Sequence, residues 1–111
     1  MLYKITQIEI DKHIMCFIAV STLQEVVGKC CLKIRKNKVI TYQDAFVNKE
    51  HRLKGVYNRL FEERQKFVDN NYKDYKIEAY CRSTTIKKFL DNGFKIKAGL
   101  QLVEKNNNED I

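Results

Sequence analysis

Residues 44–59 read DAFVNKEHRLKGVYNR. Asp44 to Val47 close a run of alternating polar and apolar residues, the period of a strand. From Val56 the apolar positions recur at helical spacing. Between the two lies a short polar, basic loop with one glycine, Gly55. A strand that opens through such a loop onto a helix aims a row of backbone N–H groups at the space above the loop. The first four N–H groups of a helix have no intrahelical acceptor, and the helix dipole adds partial positive charge there. The stretch is therefore a cradle for an anion such as a phosphate.

Working outward, residues 2–10 read as a strand with Thr6, Ile8 and Ile10 on one face and Tyr3 and Ile5 on the other. After the polar connection Asp11–His13, residues 14–21 form a near-continuous apolar run, the pattern of a strand buried on both faces. Residues 26–35 and 38–47 alternate as strands joined by a tight polar turn at Lys36–Asn37, which implies a hairpin. The helix that begins at Gly55 carries Val56, Leu60, Phe61, Phe67 and Val68 on its apolar side, with Glu62, Glu63, Arg64 and Lys66 on the other, and ends near Asp69–Asn71. Residues 75–81 read as a strand parallel to the one before the helix, because a helical crossover joins them. Ser83–Thr85 is a capping cluster for a second, shorter helix that stops at Asn92–Gly93. Phe94–Lys97 and Leu100–Glu104 read as a last hairpin across Ala98–Gly99, and residues 105–111 as a polar, disordered tail. Residues 1–104 are expected to form one domain.

Composition narrows the class. The chain has 111 residues, 44% of them apolar and 32% charged, a soluble globular balance. No apolar run approaches the roughly 20 residues that span a bilayer. The N-terminus lacks the apolar core of a signal peptide, so a cytoplasmic location is expected. The four cysteines, Cys16, Cys30, Cys31 and Cys81, form no CxxC pair, and His13 and His51 stand alone. No metal site is expected, and the cysteines read as reduced, small apolar residues of strands. The net charge of +7 suits an anionic ligand or an acidic partner. Nucleic acid is a less favoured partner, since the basic residues are spread along the chain without a dense run.

The order of elements, taken with two segments, resembles the GCN5-related N-acetyltransferase (GNAT) superfamily. In the first segment Arg52 and Gly55 stand at the spacing of the superfamily's pyrophosphate loop, Val47 at the apolar position that ends its strand, and Asp44 at a position that is often acidic. In the second, Phe89, Gly93 and Phe94 match a late helix. The resemblance implies an α+β fold: a mixed, mostly antiparallel sheet of about seven strands with two main helices. It further implies an acetyl-CoA site. The amides of Leu53, Lys54, Gly55, Val56, Tyr57 and Asn58 would hold the pyrophosphate, with Arg52, Lys54 and Arg59 adding charge. The pantetheine arm would lie against the backbone of Phe46 and Val47, with Phe89 nearby. Three features depart from the pattern. Tyr57 stands where the loop usually has Gly or Ala. Phe89 stands where many members carry a tyrosine that protonates the leaving thiolate. Asp11–His13 is too short for the helices that usually follow the first strand.

The activity these residues imply is direct acetyl transfer from acetyl-CoA to an amine, on a protein or a small molecule. The amine must lose a proton before attack, a task for a carboxylate or a water it orients. Asp44 and Glu78 are the candidates for base, with Tyr80 and Cys81 near enough to act as acid. An acceptor side without its usual helices suits a large acceptor or completion by a second subunit in a homodimer. Two other readings stay open: an acyl-CoA-binding or partner-binding module with little catalysis, and a basic nucleic-acid binder.

Overall fold

The computed structural model describes residues 3–98 and 102–106. Strands β1 (Tyr3–Asp11), β2 (Ile14–Ser21), β3 (Val26–Arg35) and β4 (Val39–Val47) are followed by helix α1 (Val56–Asn71), strand β5 (Lys76–Tyr80), helix α2 (Ile86–Asp91) and strands β6 (Lys95–Ala98) and β7 (Leu102–Asn106). They build one seven-stranded sheet in the order β1-β2-β3-β4-β5-β7-β6. Neighbours are antiparallel except β4 and β5, which the α1 crossover makes parallel. This is the expected mixed, mostly antiparallel sheet with two helices.

Local chemistry accounts for the elements. The β3–β4 hairpin turns where Asn37 and Lys38 take φ of 63° and 58°, the left-handed pair that matches strand twist. Gly93, at φ 90°, ends α2 as a C-terminal glycine does. Thr85 does not cap α2 by its side chain; its hydroxyl turns back to the Arg82 carbonyl at 3.3 Å instead.

Both helices pack on one face of the sheet. Phe17, Leu32, Ile40 and Ile77 from the strands meet Leu60, Phe61 and Val68 of α1 and Phe89 of α2 in one core. Among the described residues the other sheet face carries no helix. Hence β2 is buried unevenly: Phe17 and Ala19 on the helix side are fully buried, while on the opposite face Cys16 is buried and Ile14, Ile18 and Val20 only partly so, against the expectation of burial on both faces. Arg64 also reverses its expected side. It is 1% exposed, has its Cζ over the Tyr42 ring, 3.9 Å from the centroid, and donates from Nη1 to the Cys31 carbonyl at 3.1 Å. That carbonyl sits where the β3–β4 register shifts between Lys29 and Cys31, a place where a ladder partner is lost.

The cysteines divide. Cys30 is a free thiol, as expected, and both Cys30 and Cys81 are buried. Cys16 and Cys31 are disulfide-bonded, which corrects the expectation of reduced thiols throughout. The cause is register: the two face each other directly across β2 and β3 with Cα atoms 4.1 Å apart, close to the roughly 4.5 Å of a non-hydrogen-bonded pair. At the C-terminus, Lys105 and Asn106 continue β7 beside Ile77 and Lys76, past the expected end of the domain at Glu104. Residues 99–101 of the expected last turn and 107–111 of the expected tail lie outside the described residues.

Candidate functional site

The parallel pairing of β4 with β5 stops at Tyr42 and Ala79. Beyond it β4 runs on to Val47 and β5 ends at Tyr80, so the strands part in a V. Among the described residues no β5 residue pairs with Gln43–Val47, and this leaves one edge of the β4 backbone available to a ligand.

At the wide end of the V the chain enters the loop. Asn48 is tied to β3 by its amide, 2.7 Å from the Val27 carbonyl. A 3-10 turn over Lys49–His51 follows. Leu53 and Gly55 then take left-handed φ of 61° and 82°, which curls successive amides toward one side. Gly55 precedes the first helical residue, Val56; no side chain caps the helix, and no acidic residue lies in its first turn. The amides of Val56, Tyr57 and Asn58 thus open the helix with neither an intrahelical acceptor nor a compensating carboxylate. A Cβ built on Gly55 meets nothing within 4 Å. The loop borders a cavity of about 240 Å³ lined by Val47, His51, Arg52, Leu53, Gly55, Val56, Tyr57 and Asn58.

Side chains brace this cradle from behind. Arg52 donates from Nε to the Val47 carbonyl at 3.0 Å, folding the loop back on the strand it left. The Tyr3 hydroxyl and His51 Nδ1 are 2.9 Å apart. Arg59, expected to add charge around the anion, instead donates from Nη1 to the Tyr3 carbonyl at 2.5 Å. The start of β1 therefore clamps both ends of the loop. Nothing in the Tyr3 region of the sequence signals this, because the contact spans 48 residues. Gly28 was equally unmarked. It faces Val47 across β3 and β4, and a Cβ there would stand 3.0 Å from the Phe46 carbonyl and 3.3 Å from Val56 and Leu60. A lone glycine inside a strand pattern is the usual sign of such a close approach.

Tyr57 lines the cavity but its ring leans along the helix, 6.2 Å from Phe61. Burial pushes its pKa up, partly opposed by Arg64. Phe46 is half-exposed and lies across from Lys29, so its backbone borders the V while its side chain sits on the helix-free face. Lys54 is exposed. Phe89 is buried between Phe61 at 5.1 Å and Phe94 at 5.0 Å.

The acid–base candidates come from β4, β5 and the residue that follows β5. Glu78 pairs in register with Thr41 on the helix-free face, 3.4 Å from Lys97. Lys97 also reaches Glu104 at 3.6 Å, and Glu104, followed by Glu78, raises its pKa. Tyr80 ends β5 at 74% exposure. Cys81 is buried, and burial raises its thiol pKa. Asp44 has its backbone in β4, while its side chain lies outside what the structure describes. Among the described residues no His, Cys, Asp and Glu are grouped to hold a metal ion, and no helix is long and apolar enough to cross a membrane.

No protein-family model and no curated protein sequence matches the chain. Solved structures do match it. An acetyltransferase of the GNAT family from Staphylococcus aureus Mu50 is similar with a TM-score of 0.63 at 18% identity, over 84% of this chain and 67% of that one. Tetrahymena GCN5 gives a TM-score of 0.67 at 18% identity, over 86% and 69%. The PaiA N-acetyltransferase of Thermoplasma acidophilum, solved in complex with coenzyme A, gives 0.69 at 21% identity, over 85% and 61%. The chain has the GNAT fold.

Proposed function

We propose that this chain binds acetyl-CoA in the V between β4 and β5 and transfers the acetyl group directly to an amine. The observation that carries the reading is the start of α1. It has no side-chain cap and no acidic residue in its first turn, and it follows a left-handed Gly55 whose added Cβ would meet nothing within 4 Å, just past the last β4–β5 pair. The diphosphate would rest on Gly55–Asn58, with Lys54 and the outer nitrogens of Arg52 beside it. The pantetheine arm would follow the open backbone edge through Phe46 and Val47. That a GNAT-fold neighbour was solved with coenzyme A supports the same choice of ligand.

Asp44, Glu78 and Tyr80 are the groups proposed for proton handling, and most of the rate would come from holding thioester and amine together. Among these, a true base or acid shows a fall in kcat with KM little changed on Asp44→Asn, Glu78→Gln or Tyr80→Phe. The test of the function is acetyl-CoA titration by calorimetry, paired with release of free CoA thiol across a panel of amines and peptides. Binding with turnover is expected. Absence of a calorimetric signal overturns the ligand.

A second reading is favoured by Phe89, a ring without a hydroxyl, buried between two others, and by the ion pair that occupies Glu78. It is an acyl-CoA-binding module that keeps the cradle without efficient catalysis. Binding at unchanged strength with thiol release at the uncatalysed rate distinguishes it.

A further inference from the structure

The helix-free sheet face is divided into an apolar and a basic half. Register places Ile8 beside Cys16, and Ile18 and Ile14 beside Lys29 and Lys33, all on that one face. Ile8 is 39% exposed, and Ile14, Ile18 and Val20 are partly buried with some surface left open. Next to this aliphatic stripe, β3 presents Lys29, Lys33 and Arg35, which make no ion pair among the described residues. Three carboxylates whose side chains are described have other partners. Asp11 accepts from the amides of His13 and Ile14, and Glu78 and Glu104 pair with Lys97.

We infer that this face docks an acidic amphipathic helix of a partner protein, its apolar side on the isoleucines and one acidic flank on the β3 cations. The dimensions agree. From β1 to β3 is two strand spacings, about 10 Å, the width of one helix. From Lys29 to Arg35 is about 20 Å of strand, room for roughly 13 helical residues. A second copy of this chain fits poorly, since a two-fold contact through this face sets basic row near basic row on chains of net charge +7. Nucleic acid would find branched aliphatic side chains where it needs flat rings for stacking. The inference is independent of acetyl transfer, and its test reads no activity.

The probe is a fluorescent synthetic peptide of about 18 residues with Leu at helical spacing and Glu along one flank. A Lys-flanked peptide and a scrambled acidic one serve as controls. Fluorescence anisotropy is expected to show binding of the acidic peptide alone, weakened about tenfold or more by high salt. The triple variant Lys29→Glu, Lys33→Glu, Arg35→Glu is expected to lose that binding. Lys29→Gln with Arg35→Gln, milder changes at exposed positions, is expected to weaken it several-fold with an unchanged circular dichroism spectrum. Equal binding of the three peptides, or binding unaffected by both variants, overturns the proposal. So does sedimentation that shows a dimer broken by Ile8→Glu, or generic RNA held more tightly than the acidic peptide through the same residues.

Discussion

At Gly55 two requirements meet in one residue. Its φ of 82° is the left-handed conformation that costs an ordinary residue roughly 1–2 kcal/mol. Its missing Cβ faces open space, so a side chain is limited by backbone strain and not by collision. Asp tolerates this conformation better than most residues. Gly55→Asp is therefore expected to fold, with a Tm only a few degrees lower, while acetyl-CoA affinity by calorimetry falls at least about tenfold, or about 1.4 kcal/mol. Gly55→Ala, with the same strain and no charge, is expected to keep most of the affinity. Arg64 shows the opposite kind of constraint. Its buried guanidinium serves a β3 carbonyl and a tyrosine face, while its Nε has no partner among the described residues. Removing it empties space beneath α1 and orphans the carbonyl, so Arg64→Ala is expected to cost about 2–4 kcal/mol in urea unfolding. Arg64→Lys is expected to recover little, because an ammonium cannot lie flat on Tyr42.

Among the elements, α1 has the most to position, and Gly28 sets how close it comes to the sheet. The nearest atom to an added Cβ is the Phe46 carbonyl at 3.0 Å, which belongs to a strand and cannot rotate away. Gly28→Ala is expected to lose about 1–3 kcal/mol of stability. Because Val56 is among the displaced neighbours, acetyl-CoA affinity is expected to fall with it. Unchanged affinity in a destabilised Gly28→Ala would separate the packing of α1 from the cradle at its start. These elements were largely legible in sequence. The 14–21 run is β2 to the residue, and the change from period two to helical period at Gly55 marks α1. The side that Arg64 takes was not legible. Helical spacing gives an apolar stripe, but a long side chain at its margin can turn either way, and here the Cys31 carbonyl beside the register shift accepts from Arg64 on the inward side.

Across the whole molecule the buried ionisable groups make stability depend on alkaline pH. Burial raises the thiols of Cys30 and Cys81 above their ordinary 9.0. It raises the phenols of Tyr42 and Tyr57 above 10.0, with Arg64 opposing both. In the unfolded chain these groups ionise at their ordinary values, while the folded chain keeps its protons longer. Their contribution is therefore complete below about pH 9 and is lost as pH rises toward the folded values. Tm in thermal unfolding is expected to fall steadily above about pH 9, and Tyr42→Phe is expected to flatten that fall. By itself the sequence determined the element order, the strand–loop–helix at 44–59 and the glycine that lets it turn, because periodicity and backbone preference are local properties. Tertiary structure alone decided which strand edges part, that Cys16 meets Cys31, that Tyr3 clamps the loop and that one sheet face stays bare. Each of these depends on register between residues far apart in the chain, and pairing distance is not written in any one segment.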